Sequence, residues 1–243
     1  MNELEMLEEL RKIDTPTITN VVATYPGQEY CLGLYNPWSM NWYTDNRLEC
    51  WYPELGPIAG YAVTAVYSEP DPNYPPLDFM QVLEEIDTSP KPAIFVFEQR
   101  FSPENADKVG LAGGNMTSKM LAVGAIGAIT NGPTRDRHEI RPMKFQYMSR
   151  GLCAGHGKQA IQAIQVPVHI CGMDIAPGEI VHMDENGAVK FPANKLEAVL
   201  KNAKALLAKE DSDIGKVLEV RGKGLKALKE AMVGTADPYM GKR

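Results

Sequence analysis

The stretch from Ala112 to Arg141 reads AGGNMTSKMLAVGAIGAITNGPTRDRHEIR and decides the fold. Its two adjacent glycines permit a tight turn, and Asn115 is a good N-cap, so the pattern predicts a helix over Met116–Val123 that ends at Gly124. The apolar run Ala125–Thr130 then has the length and composition of a buried strand. The stretch therefore predicts a turn, a helix and a strand in that order.

A second strand is predicted upstream, because Ala93–Phe97 is an apolar run with β-branched and aromatic residues. Strand, helix and strand in sequence form a β-α-β unit, whose two strands are normally parallel. In such a unit the Gly113-Gly114 turn and the Arg135-Asp136 loop both leave the carboxyl ends of strands. Ligands of α/β sheets bind at that edge, which makes these two loops the candidate site.

The residue types at this edge suit an anion and a metal ion. Free backbone N–H groups of Gly114, Asn115 and Met116 would bind an anion at the start of a helix. Arg135 can grip a carboxylate through two parallel hydrogen bonds. Asp136 supplies a hard oxygen ligand of the kind that Mg²⁺ accepts while it keeps several waters. The pattern therefore indicates a small carboxylate bound beside a divalent metal.

The same residues resemble a known family. The spacing of Gly114, Arg135-Asp136 and Glu139 is similar to the signature of the RraA-like proteins and of the class II 4-hydroxy-4-methyl-2-oxoglutarate aldolases. Two further segments resemble motifs of this family in the same order, the strand at Gly60–Thr64 and the segment Pro177–Pro192. Three separated motifs in order make the resemblance more specific than an isolated Arg-Asp pair.

The resemblance implies an α/β fold of the swivelling β/β/α type, a sandwich with parallel and antiparallel strands. We expect one domain over residues 1–243, with a helical C-terminal extension from about residue 193 and an aromatic-rich insertion at about residues 25–57. That insertion either buries its own aromatic residues or docks on a neighbouring subunit, or it forms a lid or specificity wall over the site. The resemblance also implies a homotrimer, or a dimer of trimers, with sites between the subunits.

For function, the resemblance implies a divalent-metal-dependent lyase that uses Mg²⁺ or Mn²⁺ and acts on a 2-oxo acid. Arg135 and Asp136 would be catalytic, and Asp136 would hold the metal. The residues from Gly113 to Met116, together with Arg135, would bind the substrate. Glu139, and Glu210 from a neighbouring subunit, would contact the metal through water. Many relatives have Asp where this chain has Gly114, which removes one acidic contact to the metal waters.

Two alternatives stay open at this point. Some RraA proteins resemble these aldolases but bind and inhibit a ribonuclease, so a non-catalytic binding protein is the main alternative. Lys119 is a conceivable Schiff-base lysine of a metal-free aldolase, although a place on the helix surface favours ordinary solvation. His138 lies in the Arg-Asp loop and is interpreted as a partly exposed neutral side chain.

Composition excludes several classes of protein. The chain has 243 residues and a formal net charge of −6, which argues against a nucleic-acid partner. The acidic N-terminus lacks the features of a signal peptide, and no apolar run is long enough for a membrane span. The four cysteines are scattered without a metal-binding spacing, so we expect reduced thiols in a cytoplasmic protein.

The remaining pattern predicts further elements outside the central unit. Residues Gly155–Gln165 are predicted as a loop or short helix, and the tail from Gly234 is expected to be mobile. The other predicted helices are Leu4–Ile13, Ile18–Ala23, Leu77–Ile86, Asn194–Lys209 and Val217–Met232, and the other predicted strands are Ile58–Tyr67, Met143–Tyr147, Val166–Cys171, Glu179–Met183 and Ala188–Phe191.

Overall fold

The computed structural model describes residues 1–23 and 29–233. The first residues of the aromatic-rich segment and the tail from Gly234 lie outside the described residues. The helices in the described part are α1 Glu3–Leu10, α2 Thr15–Val22, α3 Phe79–Thr88, α4 Gly114–Ala122, α5 Arg137–Ile140, α6 Leu196–Glu219 and α7 Gly224–Ala231. The strands there are β1 Glu49–Cys50, β2 Ile58–Ser68, β3 Ala93–Arg100, β4 Ala125–Thr130, β5 Gln146–Ser149, β6 Ala160–Ile164, β7 Val168–Ile170, β8 Met173–Ile175, β9 Ile180–Asp184 and β10 Gly187–Phe191.

Most strands join one mixed sheet. Its order is β1-β5-β4-β3-β2-β9-β10, and β6 pairs with β2 in addition. Strands β2, β3, β4 and β5 are parallel to one another, whereas β1, β6, β9 and β10 pair in antiparallel fashion. The β-α-β unit predicted from the sequence is confirmed, because α4 connects the parallel strands β3 and β4.

The aromatic-rich segment nearly closes this sheet into a barrel. Tyr43 forms an antiparallel bridge to Val189 in β10 at one edge, and a few residues later β1 pairs with β5 at the other edge. The side chains of Trp42 and Tyr52 are buried, whereas Trp38 is 86% exposed. Packing therefore explains much of this segment, since Trp42 joins the apolar cluster around α1, α2 and α6, and Tyr52 joins the cluster around α3 and α4.

Three apolar clusters hold the elements together. One side of the parallel strands, with Phe95 and Phe97, packs against α3 and α4. The opposite side, with Ile94 and Val96, packs against β7, β8 and β9. A third cluster joins α1, α2 and the first half of α6 to β9 and β10. The parallel strands are thus covered on both sides, as their nearly continuous apolar sequences require.

Several sequence predictions about element type and boundary are wrong. The segment Gly155–Gln165 contains strand β6 rather than only a loop or short helix, because Ala160–Ile164 pairs in antiparallel fashion with the end of β2. The long C-terminal helix does not end at Lys209 but continues to Glu219. A turn that contains Gly222 follows α6, and α7 begins at Gly224. The positive φ angles of these two glycines interrupt the single helix that the sequence predicted over Val217–Met232.

Within residues 1–23 and 29–233, no helix combines the length and the apolar character that a bilayer crossing needs.

Candidate functional site

The candidate site lies where the loop before α4 meets the loop after β4. These loops are joined along a short parallel bridge between Leu111 and Thr134. The Leu111 amide donates to the Pro133 carbonyl over 3.2 Å, and the Thr134 hydroxyl donates to the Leu111 carbonyl over 3.0 Å. The bridge holds Arg135 and Asp136, which follow it, against the N-terminus of α4.

Asp136 has an unusual backbone conformation, with φ of 59° and ψ of 31° in the left-handed region. It stands at the N-cap position of α5, yet its side chain makes no capping bond to that helix. Its Oδ2 instead accepts hydrogen bonds from the Gly114 amide over 3.1 Å and from Arg135 Nε over 3.2 Å. The left-handed turn therefore directs the carboxylate toward α4, where the helix dipole favours its charge.

The two adjacent glycines make room for two carboxylates. A Cβ atom on Gly113 would lie 2.1 Å from Asp136 Oδ2, and one on Gly114 would lie 2.3 Å from the Glu139 carboxyl carbon. Neither position has a positive φ angle, so close approach of the side chains, and not backbone strain, is what requires glycine here. Arg135, Asp136 and Glu139, which the sequence grouped by spacing, thus come together at the start of α4.

The backbone donors of α4 differ in part from the prediction. The helix begins at Gly114, with Gly113 rather than Asn115 at the N-cap. The sequence predicted a free Gly114 amide that could bind an anion. This detail is wrong, because the amide already donates to Asp136. The amides of Asn115 and Met116 have no hydrogen-bond acceptor among the described residues, as expected in the first turn of a helix.

These groups face a cavity of about 180 Å³. The side chain of Arg135 is 31% exposed there, and only its Nε hydrogen-bonds to a described residue, so both terminal nitrogens are available. The Oδ1 atom of Asp136 likewise accepts no hydrogen bond from the described residues. The lining residues are Gly110, Ala112, Gly113, Asn115, Met116, Arg135, Asp136, His156 and Gln159.

His156 and Gln159 are site residues that the sequence reasoning missed. Nδ1 of His156 lies 2.9 Å from the Gly157 carbonyl oxygen. A carbonyl only accepts, so Nδ1 carries the proton in the neutral ring and Nε2 keeps its lone pair. No local signal marked these residues, because they precede β6 in a segment predicted as a loop or short helix.

Other candidates lie apart from this cavity. Glu210 is inside α6, and not after the helix as the sequence suggested. Burial and the nearby charge of Asp14, the N-cap residue of α2, raise the pKa of Glu210. Lys119 and His138 are both exposed. The exposure of Lys119 on α4 agrees with the solvated interpretation of that residue.

The donor set fits a divalent ion that keeps most of its waters. In the described part of the chain, no three His, Cys, Asp or Glu residues are grouped closely enough to enclose a metal ion. One open carboxylate oxygen on Asp136, with Glu139 held beside Gly114, matches the sparse protein contact that Mg²⁺ accepts. Zn²⁺ would need a fuller set of nitrogen and sulfur ligands.

Residues 39–190 match the family model RraA-like, described as Aldolase/RraA. The chain belongs to the RraA-like family. The match begins inside the aromatic-rich segment and includes every residue of the candidate site except Glu210. The resemblance inferred from the three sequence motifs is therefore confirmed.

Individual relatives agree with this placement. A protein of Halalkalibacterium halodurans, provisionally named a 4-hydroxy-4-methyl-2-oxoglutarate aldolase, is 28% identical over 42% of this chain and 49% of its own length. The chain matches between 21% and 49% of the lengths of its curated relatives. The chain therefore spans less than half the length of each of these relatives.

Solved structures show the same fold. An uncharacterized protein from Pseudomonas syringae has a TM-score of 0.70 and 21% identity, covering 95% of this chain and 94% of its own. Streptomyces coelicolor RraAS2, described as an unusual member of the RNase ES inhibitor RraA protein family, has a TM-score of 0.64 and 19% identity, covering 85% and 94%. The predicted α/β fold with parallel and antiparallel strands and a C-terminal helical extension is confirmed.

Proposed function

We propose that this protein is a divalent-metal-dependent lyase that cleaves a C–C bond in a 2-oxo acid through a pyruvate enolate. The reaction would be retro-aldol cleavage of a 4-hydroxy-2-oxo acid, decarboxylation of oxaloacetate, or both. The observation that carries the proposal is the grouping of Arg135, Asp136 and Glu139 around the N-terminus of α4, with donors and acceptors left unused. Arg135 and Asp136 also line one cavity together with the first turn of α4, so the unused donors and acceptors are available to a ligand.

The metal in this proposal is Mg²⁺ or Mn²⁺. Asp136 would hold it through Oδ1, since Oδ2 is engaged by Gly114 and Arg135. Glu139 would contact it through water. The carboxylate of Glu139 is exposed and lies beside Gly114. The bound ion would supply Lewis-acid polarisation of the 2-oxo group.

The chain's own residues bind and orient the substrate. The terminal nitrogens of Arg135 and the amides of Asn115 and Met116 converge on one cavity and would hold the substrate carboxylate. Arg135 also offers a fixed positive charge to the oxygen on which the enolate charge develops. The bond between Arg135 Nε and Asp136 keeps the guanidinium oriented before the substrate arrives.

We also propose a homotrimer or a dimer of trimers. The apolar face of the first half of α6 is buried, but three apolar side chains beyond it are exposed: Ile214 by 57%, Leu218 by 59% and Leu225 by 66%. An amphipathic extension with an uncovered apolar face is typical of a helix that packs on another subunit. In such an assembly Glu210 would approach a neighbouring site. Sedimentation analysis of the purified protein tests the stoichiometry.

The activity is tested by measuring pyruvate from oxaloacetate and from 4-hydroxy-4-methyl-2-oxoglutarate, with Mg²⁺, with Mn²⁺ and with EDTA. Oxaloacetate decays without enzyme, so each rate is compared with an Asp136→Asn variant under the same conditions. Asp87→Asn, on the exposed side of α3, is the matched control. Metal-dependent pyruvate release that only Asp136→Asn abolishes supports the lyase, and full activity in EDTA contradicts it. Inactivity on all 2-oxo acids would favour the non-catalytic alternative, a regulatory protein that binds a ribonuclease or other partner.

A further inference from the structure

A second cavity, of about 290 Å³, lies beside the candidate site. The two cavities share Met116 and Gln159 as lining residues. The second cavity is built from the end of β2, the residues that lead into α3, the first turn of α4 and the start of β6. It therefore extends the candidate site along the carboxyl edge of the sheet, where ligands of parallel sheets bind.

The walls of the second cavity differ in chemistry from those of the first. No Lys, Arg, His, Asp or Glu lines it. Tyr67 contributes the one ionisable group, and burial raises the pKa of its hydroxyl, so the group stays neutral. Leu77 and Phe79 line it and are only half-buried, although they are large apolar side chains. A carboxylate placed here would lose its hydration without gaining a counter-charge.

The apolar wall is held in place by the backbone. The Leu77 amide donates to the Ile161 carbonyl over 3.0 Å, which ties this wall to β6. Asp78 then caps α3 by accepting from the Met80 amide over 3.0 Å, while its own amide donates to Gln81. Leu77 and Phe79 flank a fixed helix start, so the cavity is formed before any ligand binds.

Gln159 stands at the junction of the two cavities. Its Oε1 is buried and accepts no hydrogen bond from the described residues. Leaving a buried acceptor without a donor is unfavourable, so such atoms are rare in folded proteins unless a water or a ligand supplies the bond. A hydroxyl group on a ligand that spans both cavities would meet this side chain.

We propose that the second cavity binds the distal half of the substrate, and that the substrate is a 4-hydroxy-2-oxo acid with one carboxylate and an apolar group on C4. This inference rests on the proposed lyase function. The 2-oxo carboxylate end occupies the first cavity at Arg135, the C4 hydroxyl meets Gln159, and an alkyl chain or phenyl ring enters the second cavity.

The corresponding reaction balances without another reactant. The bond between C3 and C4 breaks, the C4 hydroxyl loses its proton, and C4 becomes the carbonyl carbon of an aldehyde. The electron pair of the broken bond passes to the pyruvate enolate, which takes up a proton at C3 to give pyruvate.

The first test measures binding alone, with ligands that lack the C4 hydroxyl and cannot be cleaved. Calorimetry with Mg²⁺ compares 2-oxo-4-phenylbutanoate with 2-oxoglutarate. We expect the phenyl compound to bind at least about tenfold more tightly, because only it gains apolar contact at no cost in charge burial. Equal binding, or tighter binding of the dicarboxylate, would overturn the inference.

A charge added to the apolar wall should reverse this preference. Leu77→Lys places a cation in the second cavity, so the preference should shift toward 2-oxoglutarate by about tenfold or more. Leu121→Lys is the matched control, since Leu121 is an exposed leucine on α4 that lines neither cavity. Phe79→Lys repeats the test if Leu77→Lys does not fold. An unchanged preference in a folded variant contradicts the assignment.

The junction is tested with Gln159→Met and with cleavable substrates. This variant should not lower the thermal stability, because it removes a buried acceptor that lacks a donor, and it should retain the affinity for 2-oxo-4-phenylbutanoate. It should lower kcat/KM for 4-hydroxy-2-oxo-4-phenylbutanoate by about tenfold. Oxaloacetate, which is too short to need the second cavity, separates the two possible failures. Turnover of oxaloacetate without any preference for an apolar C4 group removes this inference and keeps the lyase. Absence of turnover on both substrates removes the proposed function itself.

Discussion

Two helix N-termini in this protein bind a carboxylate from outside the helix, and in both the amide of the first helical residue is the donor. In α2 the amide of the first residue, Thr15, donates to Asp184 Oδ2 over 2.7 Å. In α4 the amide of the first residue, Gly114, donates to Asp136 Oδ2 over 3.1 Å. The favourable field of the helix start accounts for both contacts.

The two sites differ in what the second carboxylate oxygen does. Oδ1 of Asp184 accepts from the Asn186 amide and side chain, and the residue is only 1% exposed. Next to it, His182 uses both ring nitrogens, one toward Thr15 and one toward the Leu10 carbonyl. The α2 site is therefore complete within the chain.

At α4 the second carboxylate oxygen accepts no hydrogen bond from the described residues. Asp136 has 28% of its side chain exposed and no described donor at Oδ1, and its neighbours Arg135 and Glu139 also have unused polar atoms. A carboxylate at a helix start is thus a capping device at α2 and a candidate ligand site at α4. Unused hydrogen-bonding capacity beside a cavity distinguishes them, and the carboxylate alone does not.

The largest expected effect comes from exchanging each aspartate for asparagine. Asp136→Asn removes the charge at the open site and should lower metal-dependent turnover by about 10²- to 10³-fold with a small change in stability. Asp184→Asn removes a buried charged acceptor and should cost about 2 kcal/mol in the free energy of unfolding, with turnover per folded molecule unchanged. Steady-state kinetics and urea denaturation of both variants measure this contrast.

The comparison fails if the two variants behave alike. Loss of turnover in a fully folded Asp184→Asn protein would mean that the α2 site takes part in the reaction. Loss of stability in Asp136→Asn as large as that in Asp184→Asn would make Asp136 a structural cap like its counterpart.

A smaller effect is expected from adding a methyl group at each glycine. Gly113→Ala displaces the Asp136 carboxylate directly and should lower turnover by about 100-fold, whereas Gly114→Ala displaces only the exposed Glu139 and should lower it by about tenfold. Both residues have backbone angles that alanine adopts, so melting temperatures should stay close to that of the parent. Combining Gly114→Ala with Glu139→Gln distinguishes the cause. If Glu139 is the group displaced, the double variant is no worse than the worse single variant.

The difference between the two sites also explains how far the sequence reasoning reached. Arg135, Asp136 and Glu139 were found because they follow a buried strand within one β-α-β unit, whose geometry is local. The Asp184 site joins residues 169 positions apart. His156 and Gln159 reach the cavity through pairing of β6 with the distant β2, which no local periodicity encodes. The closing role of the aromatic-rich segment depends on two sheet edges that meet only in the folded chain.

The buried His182 at the α2 site should make the stability of the protein depend on pH. Burial lowers the pKa of His182, and this outweighs the nearby charges of Asp184 and Asp14. The unfolded chain therefore binds a proton at pH values where the folded protein does not, and stability falls as the pH drops below the ordinary value of 6.5. One such group contributes at most about 1.4 kcal/mol per pH unit.

The measurement is urea denaturation between about pH 5 and pH 7.5, where few other groups titrate. His182→Gln should reduce the slope of stability against pH, whatever its effect on the absolute value. His138→Gln, an exposed histidine beside the candidate site, should leave the slope as it is. The same slope in the parent protein and in both variants would contradict the conclusion that His182 is buried in its neutral form.

The smallest expected effect is at Lys119, where a substitution tests the alternative that the protein is a metal-free aldolase. A metal-free aldolase needs an amine that forms a Schiff base, and such a lysine is normally desolvated so that its amine is neutral. Lys119 is exposed on α4 and is absent from the walls of both cavities. Lys119→Ala should therefore keep turnover within about twofold, since surface changes away from a site have small effects. Borohydride added with oxaloacetate should trap no adduct on the parent protein, as mass spectrometry would show. A trapped adduct at this residue would make the amine of Lys119, and not the carboxylates of Asp136 and Glu139, the centre of the reaction.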